Sequence, residues 1–461
     1  MGECKRCCMQ EQRNFMGTYQ NIWEKLLLPK RYGKNCVQEI NKARSPFIVD
    51  HDRIIFSDSF RRLAGKTQVH PLTTNDHVHT RLAHSLEVAS VGRGLGTQYG
   101  YFLAERGDLP CFTEPYHIGE IVQSACLAHD IGNPPFGHAG EYAVQDWFCA
   151  VQNEKYVSCL THGELLDFQC FDGNAQGFRV INAVENEREQ GGFRLSYPTV
   201  ASVVKYPCSS YEAKEKKSKK FNYYQSEADL FAEIFTELGL LKEGHVFLRH
   251  PLSYLMEAAD DICYRIIDME DARELGILRY EEICEVLAPV WDLLNIDKER
   301  LQSMHSDRAR MSYLRSLVIK VLVEDIFRVG KERYAALMQG EFLNPYMDYA
   351  SEPVREYMKN AKTCFNEIIL KHPQKTSLEI GSYSVYKQLL DVLVPAVHNF
   401  VGGKDLSYRE TRAISLMGNH ILKKKYTAYQ AYLIVIDFIT GMTDAYATFI
   451  ANQFAGGGRM H

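Results

Sequence analysis

Residues 126–144 read CLAHDIGNPPFGHAGEYAV, and they place two histidines and two carboxylates around a Pro-Pro pair. An apolar run that starts at Ile121 leads directly into His129 and Asp130, so a helix is predicted to end there, before the Gly-Asn-Pro-Pro break. Side chains one position apart on a helix diverge by ~100°, so the two would normally face apart. A break directly after them lets the backbone turn both towards one point.

The second half of the segment predicts another helix that starts after Pro135. His138 and Glu141 are three positions apart, so this helix would show both on one face. An imidazole beside a carboxylate suits a divalent cation of hard to borderline character. The His-Asp pair alone is a weak signal in a chain of this length, and the density of polar residues at an apolar break strengthens it.

The composition is that of a globular protein without a strong charge bias. The 461 residues are 46% hydrophobic and 24% charged, and the formal net charge is −5, so anionic ligands need a local basic cluster. No run approaches the roughly 18 apolar residues of a membrane span. The first 15 residues lack the apolar core of a secretory signal. We therefore expect no membrane association.

The cysteines favour a reducing compartment. There are 13 of them, most standing singly in apolar or amphipathic runs, as buried free thiols do. This usage predicts a cytoplasmic protein. Cys4, Cys7 and Cys8 form a cluster that invites a metal interpretation. No second pair follows at zinc-finger spacing, so a flexible N-terminal extension is the preferred interpretation.

Helical periodicity dominates the chain and predicts a mostly α fold. Apolar residues recur at spacings of three and four in residues 50–64, 80–98 and 226–338, and again in the C-terminal third. TQVHPL, residues 67–72, is the best strand candidate and predicts a short hairpin. YEAKEKKSKKFN, residues 211–222, is lysine-rich and is interpreted as a solvated loop.

Two further helices carry polar residues in apolar surroundings. His84 follows Arg81 by one turn on an amphipathic helix, and Asp260 and Asp261 interrupt an apolar one. An ionised carboxylate is costly to bury unless it is paired or binds a metal. The alternatives are a satisfied core histidine and a salt bridge from Asp260 to Arg265. With His129 and Asp130, these residues complete a plausible metal site.

Five segments extend this pattern well beyond a bare His…His-Asp…Asp order. They span about residues 50–450 and read, in chain order, DRIIFSDSFRRLAGKTQV, HTRLAHSLEVASVGR, HDIGNPPFGHAGE, EAADDICY and DFITGMTDAYA. Together they resemble the deoxyguanosinetriphosphate triphosphohydrolase family of the HD-domain phosphohydrolases. Residues 1–20 and the lysine-rich loop lie outside the resemblance.

The resemblance implies an HD-domain helical core over about residues 50–290 and a helical C-terminal lobe over about residues 291–461. We expect residues 21–461 to form a single unit behind the extension of residues 1–20. The implied activity is the metal-dependent hydrolysis of dGTP, or of other dNTPs, to the deoxynucleoside and inorganic triphosphate.

The resemblance also assigns the chemistry to individual residues. One divalent ion per subunit, Mg²⁺ or Mn²⁺, would be bound by His84, His129, Asp130 and Asp260. His138, with Glu141 behind it to fix its tautomer, would orient the attacking water or protonate the departing O5′.

Substrate contacts follow from the same comparison. Arg81 and Lys205, the latter in ASVVKYP, match family residues that hold the triphosphate. Gln68 and Asp268 match positions that hydrogen-bond the 3′-hydroxyl, and Tyr264 matches a ring that packs on the deoxyribose and excludes a 2′-hydroxyl.

Other functions stay open at this point. One is an HD phosphohydrolase of another nucleotide, such as a broad dNTPase, a 5′-nucleotidase or a guanosine tetraphosphate hydrolase. Another is a protein that senses nucleotides or single-stranded DNA, and such an effector could also regulate the enzyme through Lys214–Lys220 or Lys423–Lys425. The family resemblance further implies a homo-oligomer, with a hexamer expected.

Overall fold

The structure, a computed structural model, describes residues 17–33, 44–69, 75–185, 191–242, 246–342, 344–418 and 421–457. Within these ranges it is mostly α-helical and has one two-stranded antiparallel sheet, which confirms the predicted fold class. The cysteine cluster at the N-terminus lies outside the described residues. So does most of the predicted extension.

The N-terminal half supplies the helices that surround the His-Asp segment. Its α-helices are α1 (Gln20–Leu26), α2 (Pro46–Ile55), α3 (Asp58–Arg62), α4 (Arg81–Glu105), α5 (Pro115–Ala128), α6 (His138–Cys149), α7 (Glu154–Val157), α8 (His162–Gln169), α9 (Gly173–Arg179), α10 (Tyr197–Val203), α11 (Ser210–Glu215) and α12 (Ala228–Glu237).

The sheet and the remaining helices follow. The strands β1 (Leu241–Lys242) and β2 (Val246–Phe247) pair with Leu241 opposite Phe247. The helices are α13 (Pro251–Glu274), α14 (Tyr280–Leu287), α15 (Lys298–Ser303), α16 (Asp307–Glu332), α17 (Tyr334–Met338), α18 (Glu352–Cys364), α19 (Pro373–Val401), α20 (Tyr408–Met417), α21 (Ala428–Thr440) and α22 (Asp444–Phe454). A π-helical turn, Phe365–Ile369, follows α18.

The position predicted for the hairpin was wrong in the part that can be compared. Residues 67–69 form no strand, and Thr67 makes only an isolated antiparallel bridge to Thr80. Residues 70–72 lie outside the described residues. The physical reason is that the Thr67 backbone N–H and hydroxyl both donate to the Asp444 carboxylate instead of to a neighbouring strand.

Local signals define the ends of the two helices that flank the site. The Thr80 hydroxyl accepts a hydrogen bond from the Ala83 N–H and starts α4. Pro115 stands in the first turn of α5, where its missing N–H costs nothing. The helix ends at Ala128, and the backbone of His129, which follows directly, still has a helical conformation. The predicted helix and its end before the Pro-Pro break are therefore both observed.

Helices α4 and α5 pack antiparallel and make the most extensive helix contact in the described part of the chain. Glycines allow the close approach: a Cβ added at Gly96 would lie 2.9 Å from the Gly119 Cα. One added at Gly100 would lie 2.0 Å from the Pro115 carbonyl oxygen. The two backbones are thus in contact, which fixes the start of α4 beside the end of α5.

Two hydrophobic clusters organise the described chain. The larger one contains side chains of α4, α5, α13 and α16, and the other is built on α19 and α21 and includes α6. The segment between α5 and α6 therefore runs from one cluster to the other. The predicted domain boundary near residue 290 stays a prediction, since segments on both sides of it enter both clusters.

No single helix in the described residues is long and apolar enough to cross a membrane. Helices α21 and α22 reach the required length and hydropathy only as a pair, with a bend of 117° between them.

The close packing of α4 on α5 yields a stability prediction. Gly96→Ala should lower the melting temperature, because overpacking a helix contact typically costs about 1–3 kcal/mol. Gly94→Ala is the matched control on the same helix, since nothing lies within 4 Å of its added Cβ. That variant should melt at or slightly above the wild-type temperature, because Ala is favoured over Gly in a helix by about 1 kcal/mol. Equal melting temperatures for the two variants would contradict the packing argument.

Candidate active site at the junction of two clusters

Three helices of the larger cluster bring four predicted metal ligands together. The His84 Nε2 lies 3.1 Å from the Asp260 Oδ1, and the His129 Nε2 lies 3.4 Å from the Asp130 Oδ1 and 3.6 Å from the Asp260 Oδ1. Among the described residues, His84, His129 and Asp130 form a group whose ligand atoms all lie within 4.8 Å of one another. Asp260, on α13, lies beside this group, next to both histidine rings.

The hydrogen bonds of the group fit a bound divalent cation. The His129 Nδ1 lies 2.6 Å from the Cys126 carbonyl oxygen, which can only accept, so Nδ1 carries the proton. Nε2 is therefore the nitrogen that faces the carboxylates, which is the orientation that a metal-binding imidazole requires. All three members of the group are buried, and two carboxylates with two imidazoles form a donor set suitable for a divalent cation.

Two basic residues keep the ligand carboxylates ionised. The Arg81 Nη1 lies 2.8 Å from the Asp130 Oδ2, and the Lys205 Nζ lies 2.7 Å from the Asp260 Oδ2. Burial opposes ionisation of Asp130, but Arg81 and the nearby histidines lower its pKa to about 2. Burial opposes ionisation of Asp260 too, and Lys205 and His129 hold its pKa well below the ordinary value.

The acid that follows Asp260 behaves differently. Burial and the charge of Asp260 raise the pKa of Asp261 to about 7. Of the two adjacent acids, Asp260 is therefore the one that stays ionised and faces the histidines.

His138 and Glu141 form the pair that the sequence predicted. The His138 Nδ1 donates to the Glu141 Oε2 at 2.9 Å, and the Gly173 N–H donates to the other oxygen, Oε1, at 2.8 Å. Burial disfavours ionised Glu141, but the bond from His138 and the charge of Lys220 lower its pKa. The His138 side chain itself is 76% exposed, so its second nitrogen is free to meet a ligand.

One cavity of about 760 Å³ joins these groups. Its lining includes the predicted site residues Gln68, Arg81, His129, Asp130, His138, Glu141, Lys205, Asp260 and Tyr264. Tyr264, which lines the cavity, packs with Phe365 at a ring-centroid distance of 5.4 Å. The Gln68 Oε1 is buried and has no hydrogen-bond partner among the described residues.

Asp268 lies one turn beyond Tyr264 on α13 and is not part of the cavity lining. It is 2% exposed, and neither carboxylate oxygen has a hydrogen-bond partner among the described residues. Burial and the charge of Asp271 raise its pKa well above the ordinary value. The protonated form of Asp268 is therefore favoured.

The sequence analysis missed Lys220 as a site residue. Its Nζ lies 2.9 Å from Asp172 and 3.7 Å from the Glu141 Oε2, and it lines the cavity. Residues 214–219 are exposed, as predicted, but the loop prediction was wrong for residues 211–215, which belong to α11 and include the buried Ala213. The available signal was Phe221, a fully buried residue that marks where the run of lysines meets the core.

The comparison with protein families agrees with this geometry. Residues 81–206 match the HD domain, a range that begins at Arg81 and ends just after Lys205. The match covers α4, α5 and the break, so the site is that of an HD-domain protein.

Known proteins resemble this chain over nearly its whole length. A deoxyguanosinetriphosphate triphosphohydrolase-like protein of Pseudomonas aeruginosa is 42% identical over 94% of this chain and 98% of its own length. Another, from Synechocystis, is 34% identical over 94% of this chain and 99% of its own. A deoxyguanosinetriphosphate triphosphohydrolase of Cronobacter sakazakii is 29% identical over 87% of this chain and 92% of its own length. The chain therefore belongs to the deoxyguanosinetriphosphate triphosphohydrolase family of HD-domain phosphohydrolases.

The geometry distinguishes the predicted metal ligands from His138, which lies apart from them. Measuring metal binding tests this distinction. His129→Ala or Asp130→Ala should abolish binding of Mn²⁺, because each removes a ligand from a buried group. His138→Ala should bind Mn²⁺ as the wild type does, since His138 contacts Glu141 and none of the four ligands. Calorimetric titration with Mn²⁺ alone measures this. A His138→Ala protein that binds no metal would show that a ligand has been misassigned.

Proposed function

We propose that this chain hydrolyses a deoxynucleoside triphosphate to the deoxynucleoside and inorganic triphosphate. The first candidate substrate is dGTP. The observation that carries the proposal is the single cavity that joins three of the four proposed metal ligands, the His138–Glu141 pair and the residues Gln68 and Tyr264. The names of the relatives support the choice of substrate.

The proposed reaction replaces one bond at the α-phosphorus. The water oxygen bonds to the phosphorus, the bond from phosphorus to O5′ breaks, and O5′ leaves with a proton. A divalent ion bound by His84, His129, Asp130 and Asp260 would supply Lewis-acid polarisation of the phosphoryl oxygens and lower the pKa of a bound water.

The protein's own proton chemistry is assigned to His138. Its Nδ1–H donates a hydrogen bond to ionised Glu141. The other ring nitrogen, Nε2, therefore offers a lone pair when the ring is neutral and donates a hydrogen bond when the ring is protonated. The neutral ring would take a proton from the attacking water, and the protonated ring would give one to O5′. Glu141 stabilises the imidazolium in either sequence of events.

The charge of the cavity suits a triphosphate. Six basic and five acidic side chains line it, and Asp261 is one of the acids. The basic side chains are those of Arg81, Lys205, Lys220, Arg265, Lys362 and Lys375. Because the pKa of Asp261 is raised to about 7, the balance is positive before any metal ion is counted. We therefore assign the phosphate chain to the end that contains Arg81, Lys205 and Lys220.

Product analysis tests the reaction. With dGTP and Mn²⁺ or Mg²⁺, the wild type should release deoxyguanosine and inorganic triphosphate in equal amounts. His138→Ala is the control and should lower kcat by about 10²–10⁴-fold, the range for a positioned acid or base. Release of pyrophosphate and dGMP would contradict attack with O5′ as leaving group. A panel of the four dNTPs, GTP, dGMP and guanosine tetraphosphate would show whether another nucleotide is the substrate.

Tyr264 is the proposed sugar filter. It stands one turn after Asp260 on the same helix, and both residues line the cavity. An apolar ring packed on a deoxyribose leaves no space for a 2′-hydroxyl and no partner for its hydrogen bonds. Gln68, whose Oε1 has no partner, and Asp268, whose two carboxylate oxygens have none in the described structure, are proposed to bind the 3′-hydroxyl.

Substitution of Tyr264 tests the filter. Tyr264→Ala should raise kcat/KM for GTP relative to dGTP by about tenfold or more, because it opens space beside C2′. Tyr264→Phe is the matched control, since it keeps the ring and should keep the wild-type preference. Steady-state kinetics on both nucleotides gives the ratio, and an unchanged ratio in Tyr264→Ala would assign the selectivity elsewhere.

We also propose a cytoplasmic homo-oligomer, with six subunits expected from the family resemblance. The free cysteines of the described chain support a reducing compartment. The run Lys214–Lys220 and the exposed cluster Lys423–Lys425 are candidates for contact with a nucleotide or single-stranded DNA effector. Native mass measurement tests the subunit number.

A further inference from the structure

The chain reaches His138 through two residues of unusual backbone conformation. Phe136 has a φ of 64° and Gly137 a φ of 57°. Glycine adopts this region freely, but a bulky residue such as Phe136 does so only where surrounding contacts hold it. The positive φ angles end before His138, which is the first residue of α6. The direction in which α6 starts therefore depends on what holds Phe136.

The C-terminal part of the chain provides one of these contacts. The Asp444 Oδ1 accepts a hydrogen bond from the Phe136 N–H at 2.9 Å. Its Oδ2 accepts two from Thr67, from the N–H at 3.1 Å and from the hydroxyl at 2.8 Å. Asp444 is 2% exposed, so these bonds are shielded from water.

Lys66 makes the second contact from the opposite side. Its Nζ donates to the Asn133 carbonyl oxygen at 2.7 Å and to the Thr440 carbonyl oxygen at 2.6 Å. The Lys66 side chain is buried. Lys66 therefore connects the start of the Pro-Pro break to the end of α21, while Asp444 connects its end to the start of α22.

We propose that Lys66 and Asp444 are positioning residues that hold the segment 133–137 and thereby aim His138 into the cavity. Neither residue lines the cavity, so neither is assigned contact with the substrate. The kinetic part of this inference rests on the proposed function. The structural part, that the segment is held from the break between α21 and α22, does not.

Amide hydrogen exchange tests the structural part. Asp444→Asn keeps the shape but offers one oxygen where the carboxylate offers two, so it cannot accept from both Phe136 and Thr67. Exchange in a peptide that covers residues 131–139 should become about tenfold faster, in line with the loss of a buried hydrogen bond.

Asp108→Asn is the matched control for this measurement. Asp108 is also fully buried and also accepts from a backbone N–H and a hydroxyl, those of Tyr19 and Tyr334 at 2.8 and 3.0 Å. It contacts neither the break nor the cavity. Its substitution should lower the melting temperature and leave exchange in the 131–139 peptide unchanged. Equal exchange in the two variants would overturn the proposed contact.

A double-mutant cycle tests the action through His138. Asp444→Asn should lower kcat by about tenfold in the wild type and by less than about threefold in a His138→Ala background, because the group it positions is then absent. Metal binding should be unchanged. Asp108→Asn should leave kcat within about twofold of wild type. Equal losses of kcat from Asp444→Asn in both backgrounds would show a general structural role and overturn the proposal.

Lys66→Met gives a second, independent variant should Asp444→Asn fail to fold. It keeps the chain length but donates nothing to Asn133 or Thr440, and the same two measurements apply. If the wild type hydrolyses no nucleotide, the proposed function fails by that result alone. The exchange measurement then still decides whether Lys66 and Asp444 hold the segment.

Discussion

The contact between the backbones of α4 and α5 is the constraint on which the site depends. Where side chains larger than a hydrogen atom separate two helices, their axes lie about 8–10 Å apart. Gly96 and Gly119 allow a closer approach, and the antiparallel arrangement then places the first turn of α4 beside the last turn of α5. His84 and His129 consequently face each other with ring centroids 5.4 Å apart. Residues far from the ligands therefore determine the spacing between them.

Charge pairing is the second requirement of this site. Two carboxylates in a buried group repel each other and are poorly solvated, so one of them would ordinarily be protonated. Arg81 and Lys205 each pair with one of the carboxylates, and both acids remain ionised before an ion binds. The same two cations line the cavity, so charges that keep the carboxylates ionised also favour an anionic ligand.

The sequence predicted the local features and missed the long-range ones. His129, Asp130, His138 and Glu141 lie in one segment, where a break between helices was enough to place them. Lys66 and Asp444 both lie within family motifs, but they are 378 positions apart in the chain, and no spacing rule connects residues so distant. Their roles depend on how α21 and α22 pack against the break. The hairpin was misplaced for the same reason, because its predicted partner was replaced by Asp444.

Unpartnered polar atoms identify what the site lacks. The Gln68 Oε1, the Arg81 Nε, the His84 Nδ1 and both oxygens of Asp268 are buried without partners in the described structure. Each such group costs about 1–3 kcal/mol. Gln68 and Arg81 line the cavity, and His84 and Asp268 lie on helices that carry other lining residues. With its pKa raised, Asp268 is a neutral acid that can donate one hydrogen bond and accept another. A sugar hydroxyl needs both, and an analogue without that hydroxyl would leave the groups unpaired. In the proposed function, the cost of leaving Gln68 and Asp268 unpaired would be the physical source of selectivity for the sugar.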